Sequence, residues 1–200
     1  MKNVLSVAIS LMVAAMIVGC GGGEQQPAKT EKPAEPAFVA KTMSVPAMRV
    51  ASLAKVGSYD GFDKAQAELF GLLQKEKLAP GMPIGVYYDD PAKVKPESCR
   101  YEVWMQVPAE TKIKADKKTG FAIKDAPEMA VAATDYMGPY DGIDSHYPKL
   151  FEWIGKNQLV LVGPTIEWYL NDPSKVKPES LLTRIGAVVK PAAPPADTTK

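Results

Sequence analysis

The chain has 200 residues, a formal net charge of +1, 46% hydrophobic and 24% charged side chains, the profile of an ordinary globular protein. One histidine and two cysteines exclude a His-rich metal centre, a Cys-cluster zinc site and a disulfide framework. The near-neutral balance argues against a nucleic-acid partner, because neutralising phosphates takes a basic patch and none is visible in the sequence.

Met1-Lys2-Asn3 is a basic start, Val4 to Val18 is almost wholly apolar, and Gly19-Cys20 closes the run. A charged end, an apolar stretch and small residues make a secretory signal. The stretch is short for a bilayer span, which takes about 20 apolar residues. Ile17-Val18-Gly19-Cys20 resembles the bacterial lipobox, and the resemblance implies cleavage before Cys20 and lipidation of its sulfur. Each buried acyl methylene contributes about 0.8 kcal/mol, so several chains on one cysteine anchor a protein firmly. The expected address is the cell envelope, with the membrane as a partner through Cys20. Gly21 stands where many inner-membrane lipoproteins carry aspartate, which points to the outer membrane in a cell that has one. Cys99 is left as a lone thiol, expected to be buried and inert. Residues 20–44 are rich in Gly, Pro, Glu and Lys and read as a disordered tether, and Pro191 to Lys200 reads as a similar tail. One domain is expected over 45–190.

That domain is written twice. Asp90-Pro-Ala-Lys-Val-Lys-Pro-Glu-Ser98 recurs as Asp172-Pro-Ser-Lys-Val-Lys-Pro-Glu-Ser180, identical at eight of nine positions. Gly57-Ser-Tyr-Asp-Gly61 recurs as Gly138-Pro-Tyr-Asp-Gly142, and Leu69-Phe70 as Leu150-Phe151. The spacing predicts repeats over 48–108 and 129–190, with one extra residue near Thr165. In each, a strand (Arg49 to Val56; Ala130 to Met137) leads through the Gly-x-Tyr-Asp-Gly turn to a helix. Leu69, Leu72 and Leu73 sit at i, i+3 and i+4, and Leu150, Phe151 and Ile154 repeat the pattern. Pro148 belongs near its helix start, since an interior proline removes a hydrogen bond. Pro83 to Tyr88 and Pro164 to Leu170 are β-branched and aromatic, hence strands. The Asp-Pro loops follow, and Cys99 to Val107 and Leu181 to Val189 close each repeat. The result is an α+β domain of two strand–helix–strand–strand modules.

Met-Gly-Pro-Tyr-Asp-Gly-Ile (137–143), Leu-Phe-Glu-Trp-Ile (150–154), Gly-Pro-Thr-Ile-Glu-Trp-Tyr-Leu-Asn-Asp-Pro (163–173) and Cys-Arg-Tyr-Glu-Val (99–103) together, by their order and spacing in the chain, resemble the GyrI-like effector-binding domain. The resemblance implies two modules about a pseudo-twofold axis. It also implies a small-molecule role, as ligand sensor of a transcription regulator, stand-alone binder or hydrolase of electrophiles. A lipid anchor is expected here in place of a DNA-binding segment.

Alternation along 99–107 puts Cys99, Tyr101, Val103, Met105 and Val107 on one apolar face, expected under the helices. Glu102 and Trp104 fall on the other face, with Arg100 and Gln106, and are candidate ligand-binding residues. In the second repeat Glu167 and Tyr169 share a face, and Glu167 stands in an apolar strand where the first repeat has Gly85. A carboxylate among aromatic rings suits a cation, whose contact with a ring is worth about 0.5–2 kcal/mol. The resemblance gives Glu167 this role. The bland alternative is a solvated glutamate or one paired with Arg184. Tyr59 and Tyr140, present in both copies, read as structural. His146 has no repeat partner and no second axial candidate, so haem is not expected, nor any other cofactor or metal. With no Ser-His-Asp set, the expected function is binding of small, apolar, cationic molecules. The alternative is hydrolysis of a strained electrophile with Glu167 as acid/base.

Overall fold

The computed structural model describes residues 38–79 and 81–193. The signal, Cys20, most of the expected tether and the tail beyond 193 lie outside the described residues. The strands are β1 Lys41–Val45, β2 Met48–Val56, β3 Pro83–Tyr87, β4 Arg100–Gln106, β5 Phe121–Ala126, β6 Met129–Met137, β7 Leu159–Tyr169 and β8 Leu182–Pro191. The helices are α1 Phe62–Lys75 and α2 Tyr147–Lys156, each entered through a 3₁₀ turn.

All eight strands join one antiparallel sheet in the order β1-β6-β8-β7-β3-β4-β2-β5. The order is palindromic in the repeats: β2, β3 and β4 are mirrored by β6, β7 and β8. Gly85 lies directly opposite Glu167 in the central β3–β7 ladder. The repeat relation carries each of these two onto the other, so the pseudo-twofold axis passes through this pair. The fold is the expected α+β duplication, with one strand more in each module.

Those added strands are the edges. β1 pairs with β6 of the second repeat, and β5 pairs with β2 of the first. The sheet therefore begins at Lys41, inside the stretch read as tether, and Thr134 Oγ1 donates to the Val39 carbonyl at 2.7 Å. Only Pro46-Ala47 separates β1 from β2, yet the two lie at opposite ends of the strand order. The sheet must curl to bring its ends together. Met48 and Met129 pack inside that curl with Val45, Val50, Val131, Ala126, Ile84 and Ile166.

Each helix lies on the other face. Ala65, Leu69 and Leu73 of α1 pack on Leu53, Tyr101, Val103 and Met105, and Leu150 and Ile154 of α2 pack on Ile185, Ala187 and Val189. Cys99 is buried and free. The extra residue of the second repeat is absorbed by a register shift in β7 between Leu161 and Thr165.

Candidate functional site

Between the two helix starts, the central strands floor an open cleft of about 1750 Å³. Tyr87 of β3 and Thr165, Glu167 and Tyr169 of β7 line it from below. The turns before α1 and α2 bring Tyr59 and Tyr140 to its walls, and the first residues of the helices bring Phe62 and Tyr147. The first turn is held by Ser58, whose hydroxyl accepts from the Asp60 amide.

Glu167 is 7% exposed and lies at the centre of a hydroxyl cluster. Tyr147 donates to Oε1 at 2.6 Å, Tyr169 to Oε2 at 2.6 Å, and Tyr87 reaches Oε2 at 3.4 Å. The Tyr87 and Tyr169 hydroxyls are 3.0 Å apart. Burial raises the Glu167 carboxyl above its ordinary range, while the three phenols, which favour the ionised form, pull it back. The same burial, with the neighbouring carboxylate, holds the phenols of Tyr87, Tyr147 and Tyr169 well above theirs. They remain neutral donors at any physiological pH.

Rings extend the floor. Tyr59 meets Tyr87 edge-on at 4.9 Å and Tyr140 meets Tyr169 at 5.3 Å, a pair of contacts repeated about the axis. Phe62 leans on both Tyr87 and Tyr169. Burial pushes the Tyr59 phenol up to about 12, and its hydroxyl donates to the Asp89 carbonyl at 2.7 Å. The cleft is also acidic. Asp60, Asp63, Asp89, Asp90, Asp144 and Asp172 line it, with Asp89, Asp90 and Asp172 paired to Arg100, Lys93 and Lys175. Asp89 is gripped by Arg100 at 2.8 and 2.9 Å, which holds its carboxyl down to about 2.

A GyrI-like small molecule binding domain is matched over residues 43–190. The chain belongs to this family. Among solved structures, this GyrI-like chain is similar to EcmrR in its DNA complex (18% identity, TM-score 0.67), covering 78% of this chain and 58% of that one. It thus spans a little over half of that regulator. The separate EcmrR C-terminal domain is covered over 99% of its length and 78% of this chain (17% identity, TM-score 0.64). A hydrolase encoded by lin2189 from Listeria innocua is covered over 93% of its length and 78% of this chain (14% identity, TM-score 0.58). At these identities the likeness is one of fold. No curated protein sequence matches the chain.

Within the GyrI-like domain the four candidate binding residues fall on two faces. Glu167 and Tyr169 meet in the cleft. Glu102 and Trp104 lie on the far face of the sheet and do not line that cleft. Trp104 is 6% exposed in the core of the curl, and its Nε1 donates to Glu102 at 2.5 Å. Lys124 pairs with Glu102 and stands 4.8 Å from the Trp104 ring centroid, while Tyr88 donates to Glu102 at 3.1 Å. The glutamate that alternation made suspicious is satisfied by these neighbours. Arg184, the alternative partner for Glu167, instead pairs with Asp135 at 2.6 Å.

Sequence reasoning passed over Tyr147 and Tyr87 as site residues. The signal for Tyr147 was present: it replaces Gln66 of the first repeat, just as Glu167 replaces Gly85. Tyr87 depends on that glycine. A Cβ on Gly85 would meet its hydroxyl at 2.6 Å and its Cε2 at 2.8 Å, so the missing side chain is what lets the ring lie beside the carboxylate.

Proposed function

We propose that the protein is an envelope lipoprotein, anchored through Cys20, whose cleft binds small apolar cations against Glu167. The observation that carries the reading is one buried acid, supported by three neutral phenols, at the floor of an aromatic, acid-lined cleft. An organic cation replaces lost hydration with ring faces and one desolvated carboxylate, a combination worth far more than an exposed ion pair. The wider acidity raises the local concentration of cations and speeds their arrival. A hydrolytic reading draws on the same acid, because a carboxyl raised by burial is suited to proton transfer near neutral pH.

The test is calorimetric titration with a quaternary arylammonium dye and a neutral aromatic of equal size. Glu167→Gln should weaken the cation at least about tenfold and leave the neutral compound unchanged. Equal affinities for the cation in both proteins sink the reading. Turnover of a strained electrophile, lost in the same variant, moves the assignment to hydrolysis. For the anchor, Cys20→Ala should release the protein from the membrane fraction.

A further inference from the structure

The two repeats have diverged in an unusual place. In the closing segments Cys99–Val107 and Leu181–Val189 only the final valine is shared, although β4 and β8 supply much of the core. At the cleft some pairs have diverged, Gln66 against Tyr147 and Phe62 against Ile143 among them, while others are kept. Tyr59 and Tyr140, Asp63 and Asp144, and Phe70 and Phe151 are identical pairs, and all six residues line the cleft. Exposed positions ordinarily drift more freely than cores, because their substitution costs little stability. Phe70 and Phe151 are 42% and 39% exposed, so burial in the core does not explain their retention. Asp63 lies in the first turn of α1, where the helix dipole favours an acid. Asp144 lies in the 3₁₀ turn before α2, a different backbone setting, and yet is the same residue. A ligand that meets both walls in the same way accounts for what the fold does not.

We propose that the cleft binds an elongated polycation of the linear triamine class, its central ammonium on Glu167 and its two alkylated ends in corresponding subsites, Asp63 with Phe70 and Asp144 with Phe151. The placement follows from the symmetry. Glu167 is on the pseudo-axis, and the two aspartate–phenylalanine pairs are carried onto one another by it. Each end then offers a cation to a carboxylate and apolar surface to a ring, and the chain between crosses the tyrosines. This inference rests on the cation-binding reading and names the ligand class of that site.

The probes are a symmetric linear triamine with N-benzyl ends, the matching diamine with carbon at its centre, and the matching monoamine with only the central nitrogen. Titration should rank the triamine above both. Asp63→Asn and Asp144→Asn should each weaken the triamine by about two- to fivefold, as for exposed ion pairs, and weaken the monoamine by a smaller factor. Glu167→Gln should weaken triamine and monoamine alike. The two-ended proposal is overturned if the monoamine binds as tightly as the triamine, or if neither aspartate variant affects the triamine. The cation reading itself falls if no amine binds, or if Glu167→Gln changes none of them.

Discussion

Burial and hydroxyl donation act on Glu167 in opposite directions, and burial prevails, leaving its carboxyl raised. A folded-state value above the unfolded one, near 4.3 for a glutamate, means that ionisation costs the fold stability. The cost is absent at low pH, where both states hold the proton. It grows as pH rises past the unfolded value and is complete above the folded one. Glu167→Gln should therefore raise the denaturation midpoint at pH 7 and leave it unchanged near pH 3, as urea titrations at the two pH values will show. Such a gain is the expected mark of a residue kept for binding at the expense of stability. Cation binding should run the other way with pH, weakening as acid protonates the carboxyl. Tyr147→Phe removes a 2.6 Å donor to the ionised form. Losing a bond that favours the carboxylate raises the carboxyl further, so the pH midpoint of cation binding should move upward, as titrations at a series of pH values will show.

At the level of elements, the repeats show compensated exchanges that single-strand reading does not reveal. Trp104 of β4 faces the inside of the curl. Its counterpart Gly186 is bare because Trp168 of the adjacent strand leans over it, 2.9 Å from where a Cβ would stand. Tyr101 and Lys55 are paired across β4 and β2, while across β8 and β6 the pair is Thr183 and Tyr136, the tyrosine having changed strand. Trp104 thus had the pattern of a ligand wall and the task of a core. Alternation sorted its face correctly, but the partner of that face is the curled sheet itself, which no local pattern encodes. β1 and β5 escaped for a related reason: they are short edge strands with charged or small residues outward. The repeated signal lay beside them, in Val45-Pro46-Ala47-Met48 and Ala126-Pro127-Glu128-Met129. The duplication, the helices and the Glu167–Gly85 contrast were all legible, because each is a local pattern compared with its own copy. Gly85→Ala tests the central ladder. The added methyl collides with Tyr87, and overpacking of this kind costs about 1–3 kcal/mol. Most of that loss should disappear in a Tyr87→Leu background, as a double-mutant cycle by thermal denaturation will measure.

For the whole molecule, the reciprocal edges decide how the chain is cut. β1 completes the second repeat and carries Val45, 5% exposed, whose burial alone is worth about 1.5–3 kcal/mol. A protein beginning at residue 38 should fold as a monomer. One beginning at residue 46 bares the edge of β6 and should melt lower and self-associate, as bared edge strands do, which light scattering and calorimetry will report. Each repeat thus reaches across to finish the other, the arrangement expected of two half-length chains that once exchanged arms as a homodimer. In such a dimer the residues on the twofold axis are necessarily the same, and two facing glutamates at one ladder position repel. Fusion into one chain lifts that identity. Gly85 and Glu167 can then differ across the axis, and a single carboxylate occupies a place that a symmetric ancestor could fill only with two or with none.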